Sequence, residues 1–426
     1  MFSERSTVEH ISISEQNSDQ QVPALNTWPR LNDDAIERVI SCLKSRQLSG
    51  SGLDIINEFE ASVERWLGGG HVVSTNSGTS ALMVALLALG IKPGDTVICP
   101  AYTWCATPHA ALLIGAKPKF VAIDPATYNI CPNALRQAMS SDVKAIMVVH
   151  MHGMCCDMDA ISEVVREFSV PVVGDCAQAH GARYKGREVG LLSDVDCFSM
   201  QKSKHLSAGD GGYCVTKDPK LAQKIRDICN FGVETPKTNY RFDDVLRDGY
   251  EVFRECDQIG GMFRLNPLCA ALAIDQLQEL DSHIAGVQSV MNDLLTMADD
   301  LPFFKISRPI SGSTHVWHKI RVGISEDAVA FTGLPMAEIR RQLRAALAES
   351  GIPTTLWTAP ILPLQTGLAE WSGQTDWTVT PTHFAIESSF MVFDENFPLI
   401  AQDKDIARQQ VAMLVSVWKQ YFSETA

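Results

Sequence analysis

The sequence predicts an α/β protein, with a large three-layer αβα domain built on a mainly parallel sheet and a smaller C-terminal α/β domain. Three observations carry this. Between residues 72 and 216, short β-branched runs alternate with segments of helical periodicity, as parallel βαβ units do. One uninterrupted helical pattern then runs from Leu268 to Leu294, long enough to cross between two domains. Finally, 426 residues exceed what a single ordinary core organises. The expected division is a flexible arm at 1–28, a large domain at 29–285 and a small domain at 286–426.

The arm is polar and acidic and has neither the apolar core of a secretory signal nor the acid-poor character of a transit peptide. A first helix is expected over Asp33–Arg46, where Ala35, Ile36, Val39, Ile40 and Leu43 share a face. A second follows at Ile55–Trp66. Strand 72–75 then leads into helix Gly78–Leu89, strand 96–100 into helix Thr107–Ile114, and strand 118–124 towards strand 145–150. Helix Met158–Phe168 and strands 171–175, 196–200 and 211–216 complete the large domain. Beyond the long helix lie a strand at 318–324, a helix at Met336–Ser350 and a final helix over Asp405–Trp418.

Composition narrows the function. The net charge is −14, which argues against general affinity for nucleic acid or anionic membranes. The longest apolar run, Ala81 to Ile91, is about half of what a bilayer requires. Twelve cysteines without small-scaffold spacing are expected as reduced thiols in a cytoplasm.

In parallel α/β sheets ligands collect at the carboxyl ends of the strands, and here those ends carry chemistry. Asp175 closes PVVGD, with Gln178 three residues on; a strand-end Asp caps a helix or pairs with a cation. NSGTSAL (76–82) turns from strand to helix at Gly78 and Thr79, where free N–H groups and the positive helix end suit a phosphate. Tyr102 and Trp104 follow another strand, as core aromatics or as a stacking face for a flat ligand. SMQKSKHLSAGDGG (199–212) contributes Ser199, Lys202 and Lys204, and a lysine beside a cation loses its proton more readily and becomes a nucleophile towards an aldehyde. Phosphate, flat ring, cationic nitrogen and aldehyde together describe pyridoxal 5′-phosphate. HMHGMCC (150–156) holds metal-ligand residue types, but four ligands so close on one loop do not reach tetrahedral positions, and no metal is expected.

With these stretches in view the sequence resembles the DegT/DnrJ/EryC1/StrS aminotransferases, the sugar and aminocyclitol branch of fold-type I pyridoxal-phosphate enzymes. The resemblance runs from about Asp33 to the C-terminus. NSGTSAL, PAYTW, HMHGMCCDMDAI, GDCAQAHGA, KGREVG and SMQKSKHLSAGDGG carry it. SMQxxK with GDCAQAHGA is especially like the subgroup of scyllo-inosose aminotransferases and aminohydroxybenzoate synthases.

The resemblance implies that Lys204 is the Schiff-base lysine and Lys202 a solvated side chain. It also implies that Asp175 holds the pyridine nitrogen protonated, Gln178 approaches the ring hydroxyl and Trp104 stacks on the ring. Gly78, Thr79 and Ser199 would bind the phosphate. The implied reaction moves an amino group from L-glutamate or L-glutamine to a keto-sugar or keto-cyclitol, in a homodimer with active sites at its interface. The alternatives are a dehydrating, aromatising synthase of the aminohydroxybenzoate type and a pyridoxal-phosphate-binding regulator without turnover. Met262 stands where the family often has an asparagine that reaches the partner subunit's phosphate. Arg340, Arg341 and Arg344 are expected on a solvated helix face, and His180 beside the cofactor strand as a structural histidine.

Overall fold

The alternation resolves, in a computed structural model that describes residues 28–425 except 47, 50–52, 235–255, 358–359, 374 and 394–397, into one seven-stranded sheet. The expected arm lies outside the described residues apart from Trp28. Helices α1 (Asp33–Ser45) and α2 (Asp54–Leu67) precede β1 (His71–Thr75) and α3 (Gly78–Ala88). Then come β2 (Thr96–Pro100), α4 (Ala106–Leu113), β3 (Lys117–Val121), α5 (Pro132–Ala138), β4 (Val143–Val149) and α6 (Met158–Phe168). Strand β5 (Val172–Asp175) is followed by the small hairpin β6 (Arg183–Tyr184) and β7 (Arg187–Glu188), then β8 (Val195–Ser199), β9 (Gly212–Thr216) and α7 (Pro219–Ile228).

The strand order is β1-β9-β8-β5-β4-β2-β3. Only β9 is reversed, antiparallel to both β1 and β8. Side-chain alternation builds the layers. In β4, Ile146 and Val148 point into a core shared with α2 and α6, while Ala145, Met147 and Val149 point into a second core with α3 and α4. A strand buried on both faces leaves its C-terminal tip as the place for polar groups.

The long helix, α8 (Pro267–Ala298), starts from an Asn266 cap whose side chain accepts from the Leu268 N–H. Its residues up to Ile284 pack in the large-domain core, and those from Val287 onward pack in a third core. The change of core therefore falls inside the helix, between Ile284 and Val287. The third core is covered by an antiparallel sheet of β10 (Phe304–Ile306), β11 (Ile320–Ile324), β12 (Thr354–Thr355) and β13 (Ser389–Val392), in the order β10-β11-β13-β12. Helix α9 (Asp327–Thr332) precedes α10 (Met336–Glu349) and α11 (Pro381–Glu387) in the chain, and α12 (Lys404–Glu424) closes it. The last helix continues past Trp418, where the sequence pattern ended, and buries Phe422. The short helices α5 and α7 were not expected; each opens with a proline and contributes few residues to the core.

One buried ion pair fixes the sheet edge that carries the site. Glu60 of α2, 1% exposed, accepts from Arg226 of α7 at 2.8 Å and from both the N–H and the hydroxyl of Ser74 in β1. Two helices, α2 and α7, are thereby tied to β1 just before the turn into α3. Removing one member would leave an uncompensated charge in the core, at a cost of about 3–5 kcal/mol.

Candidate active site

The ends of β1, β5 and β8 and the start of α3 meet around a cavity of about 330 Å³. Gly78, Thr79, Trp104, Asp175, Gln178, Ser199 and Lys204 all line it, and Lys202 is not among the lining residues. The site residues expected from sequence are thus brought together, although Gly78 and Lys204 are far apart along the chain.

At one end of the cavity the chain turns from β1 into α3. Ser77 caps the helix, its hydroxyl accepting from the Ser80 N–H. The first-turn amides of a helix have no partner within it, so Gly78 and Thr79 present N–H groups at the positive helix end. Gly78 is required by the space. A Cβ there would stand 2.6 Å from Ser199 Cβ and 3.1 Å from Ser199 Oγ, so only glycine lets the end of β8 bring the Ser199 hydroxyl against this turn. A backbone cradle with adjacent hydroxyls fits a phosphate.

Across the cavity Asp175 sits at the tip of β5, 6% exposed. Thr107 donates its hydroxyl to Oδ2 at 2.8 Å, and the Ala177 N–H donates to Oδ1 at 3.2 Å. Burial raises the carboxyl above its ordinary range, opposed by the Thr107 and Ala177 hydrogen bonds and by the charge of Lys204. A cation placed against this carboxylate would recover the desolvation cost. That arrangement fits a protonated ring nitrogen.

Gln178 is held by His152, which the sequence offered only as one of the metal-ligand types in HMHGMCC. The His152 N–H donates to Gln178 Oε1 at 2.9 Å, which commits the oxygen, while Nε2 donates to Met151 Sδ at 3.8 Å and carries a second hydrogen. His152 has a left-handed backbone (φ 59°), and its ring is tied down by neighbours. Arg321 of β11 donates to the Tyr102 hydroxyl at 2.8 Å, and the same hydroxyl lies 3.0 Å from His152 Nε2. The phenol accepts from arginine and so donates to the imidazole. Burial, with the charges of Arg321 and Lys319 behind it, drives the His152 pKa well down and keeps the ring neutral. Tyr102 is therefore a buried structural residue at 1% exposure, whereas Trp104, 51% exposed, stacks on Trp357 at 5.9 Å.

Lys204 follows the end of β8. Its main chain is secured at both sides, with its N–H donating to Gln201 C=O and its C=O accepting from Trp28 Nε1, each at 2.8 Å. His205 and His180 lie buried behind it. Burial first, and then nearby charge including that of Lys204, pushes His205 down to about 3 and His180 well below its ordinary value. His180 packs on Phe198 at 4.9 Å and does not line the cavity.

The other stretches noted in the sequence lie outside the cavity. In HMHGMCC, His150 Nδ1 accepts from the Cys156 N–H. The metal-like grouping among the described residues is instead His150, Cys176 and Asp196, where Asp196 already accepts from the Leu192 and Ser193 N–H groups. Arg340 pairs with Glu387, Arg341 with Glu338, and Arg344 donates to Thr354. Met262 is exposed, and its C=O lies 3.4 Å from Asn76 Nδ2.

The DegT/DnrJ/EryC1/StrS aminotransferase family model matches residues 29–374. The chain belongs to that family. Among its relatives, protein MosB of Rhizobium meliloti is 59% identical over 421 residues, which is 97% of this chain and 83% of MosB. An L-glutamine:2-deoxy-scyllo-inosose aminotransferase of Streptomyces lividus is 32% identical over 338 residues, 77% of either chain. The solved structure of S. venezuelae DesV with a ketimine intermediate is similar at TM-score 0.76 and 26% identity, covering 91% of this chain and 94% of DesV. The protein is thus a pyridoxal-phosphate-dependent aminotransferase. Among the described residues no helix is long and apolar enough to cross a membrane.

Proposed function

We propose that this aminotransferase takes its amino group from L-glutamate or L-glutamine and delivers it to a keto-sugar or keto-cyclitol in a biosynthetic pathway. One observation carries the reading: Lys204, Asp175 and the Gly78–Thr79 turn face one another across a single cavity. The relatives named for 2-deoxy-scyllo-inosose and for GDP-perosamine, the latter 35% identical, support the acceptor class.

When bound, pyridoxal phosphate supplies an aldehyde carbon that takes up an amine and a ring that accepts the electrons left when the donor loses its α-proton. The chain's own residues do the rest. Gly78 and Thr79 N–H groups, with the Thr79 and Ser199 hydroxyls, bind the phosphate. Asp175 holds a proton at the ring nitrogen, and Thr107 keeps its carboxylate aimed. Gln178 Nε2 donates to the ring hydroxyl, and Trp104 covers one ring face and excludes water. Lys204 Nζ takes the proton from the donor's α-carbon and returns one on the product side, as general base and then general acid.

The exposed apolar side chains Phe231 and Met262 lie on segments joined by the Phe231 N–H to Gly261 C=O bond, next to Asn76 and the phosphate turn. A second copy of the chain covers them in the homodimer we propose, and light scattering of the purified holoenzyme tests it by giving twice the chain mass. Twelve cysteines, none in a disulfide, suit the cytoplasm.

The test of the reaction is an absorbance titration of the cofactor-loaded protein with L-glutamate and then L-glutamine. Decay of the visible cofactor band with growth of the near-ultraviolet band of the aminated cofactor is expected from at least one donor. A band that neither amine converts overturns the transaminase reading and favours the synthase.

A further inference from the structure

We propose that Trp28 is a positioning residue for the reaction, its indole N–H holding the Lys204 main chain so that Nζ meets the donor's α-proton in the right geometry. This role rests on the reading above, in which Lys204 moves that proton. It ties the catalytic lysine to the core of the small domain.

A lysine that makes and breaks a bond and then carries a proton has to be placed to within a fraction of an ångström. No regular element places Lys204. It lies in the loop 200–211, between the end of β8 and the start of β9, and Gln201, Lys202, Gly209 and Asp210 of that loop are exposed. The N–H groups of Met200, Lys202, Lys204 and Ala208 donate to the carbonyls of Gly211, Gly209, Gln201 and Met200 in turn. Those four bonds close the loop on itself and tie it to no other part of the fold. The Trp28 bond does, with Nε1 donating to the Lys204 C=O at 2.8 Å across 176 positions of sequence.

Trp28 is itself held firmly. It is 2% exposed and packs in the third core with Val287 and Met291 of α8, edge-on to the His283 ring at 5.7 Å. The residues that follow it are fastened to the same helix and to the start of α12. Gln276 Nε2 donates to the Arg30 C=O at 2.7 Å, Asn32 Nδ2 donates to Glu279 at 3.0 Å, and Arg30 pairs with Asp403 at 2.9 Å. The indole is therefore as fixed as α8, and it passes that position to residue 204.

Packing alone would be served by any large apolar ring, and a buried indole N–H takes a partner wherever it lies. Packing does not account for the acceptor. It is the carbonyl of the residue whose side chain the reaction has to place, and the indole meets it with a single donor in a fixed plane. With the Lys204 N–H bonded to Gln201 and its C=O to Trp28, movement is left to the side chain, which swings between the cofactor and the donor's α-carbon.

The test compares the wild-type holoenzyme with Trp28→Phe, which keeps an aromatic ring and removes the donor. Should that variant not fold, 3-benzothienylalanine in place of Trp28 exchanges the N–H for sulfur and keeps the two-ring shape. In hydrogen–deuterium exchange the 200–211 amides should exchange about 2- to 10-fold faster, the equivalent of one lost hydrogen bond, with α8 and α12 unchanged. The donor is L-glutamate or L-glutamine, whichever converts the wild type. The saturating rate of its half-reaction should fall about 10- to 100-fold, with KM within about twofold of wild type. The isotope effect of the α-deuterated donor should rise, because proton transfer is the step that loses its geometry. In a Lys204→Ala background supplied with methylamine as a free base, adding Trp28→Phe should change the rate by less than about twofold.

Unchanged exchange in the loop or an unaltered saturating rate overturns the proposal. So does exchange that rises throughout the third core, which would make Trp28 a core filler. A rate loss that persists with methylamine overturns it as well, because the damage would then lie outside the lysine side chain. If the wild type converts neither amine, the transaminase reading fails, and the exchange comparison still decides whether Trp28 holds the Lys204 loop.

Discussion

Replacing Gly78 with alanine tests whether the phosphate end of the site depends on close approach of two elements. The backbone at this position needs no unusual φ, so the effect is steric alone. The added Cβ would lie 2.6 Å from Ser199 Cβ and 3.1 Å from Ser199 Cα. Ordinary contact begins at 3.4 Å, so α3 and the end of β8 must separate by about 0.8 Å (3.4 − 2.6). Neither side gives easily. Ser199 ends a strand paired to β9, and α3 is packed into the second core. Overpacking of this kind costs about 1–3 kcal/mol of stability.

The larger effect falls on the cofactor. A shift approaching 1 Å stretches at least one charge-assisted N–H bond to phosphate, worth about 1.5–3 kcal/mol, so cofactor binding should weaken roughly 10- to 150-fold. The assay is the dissociation constant of pyridoxal phosphate from equilibrium dialysis of the reloaded apoprotein, with circular dichroism to confirm the fold. Gly286→Ala in α8 is the control, because a Cβ there meets nothing within 4 Å and alanine suits a helix interior by about 1 kcal/mol. Wild-type cofactor affinity in folded Gly78→Ala would refute the placement of the phosphate at this turn.

Two further predictions follow from burial. Thr107→Val removes the hydroxyl that donates to Asp175 and should raise that carboxyl further, lowering kcat about tenfold and moving the acid limb of the pH–rate profile upward; an unmoved profile would remove Thr107 from the site. Burial holds His205 and His315 at about 3 and His150 at about 4, below the unfolded value near 6.5. The unfolded chain therefore binds more protons, so this stability is full above about pH 6.5 and drains away as pH falls towards 3–4, at roughly 2 kcal/mol per histidine by pH 5. His152, His180 and His318 shift the same way, while Asp175, Asp196 and Glu188 are raised by burial and offset part of the loss. Thermal unfolding should show a lower Tm at pH 5 than at pH 7.5, and an equal or higher one would contradict the neutral-histidine cluster.

The large domain was legible because its strands are buried on both faces and read as unbroken apolar runs. The residues expected at the site were legible because each is a chemically capable type at a strand tip or a helix start. Thr107, His152 and Arg321 were not. Thr107 reaches Asp175 from α4, and Arg321 reaches Tyr102 across 219 positions of sequence, contacts that no local pattern encodes. One signal was present in HKIRVGI (318–324). An arginine in a strand that proves wholly buried, with a buried lysine just before it, demands partners, and here those partners are the cavity and its supports. Trp28 carried no such signal, standing at the edge of a polar arm, yet its indole fixes the Lys204 carbonyl.

The central claim is that Lys204, and not its neighbour Lys202 or the second cavity lysine Lys319, carries the cofactor. Borohydride trapping of the holoenzyme makes the cofactor–lysine bond permanent, and peptide mapping by mass spectrometry then locates it. The account predicts a single modified site at Lys204, absent from Lys204→Ala and retained in Lys202→Ala. Modification at Lys202 or Lys319 in the wild-type protein would contradict it.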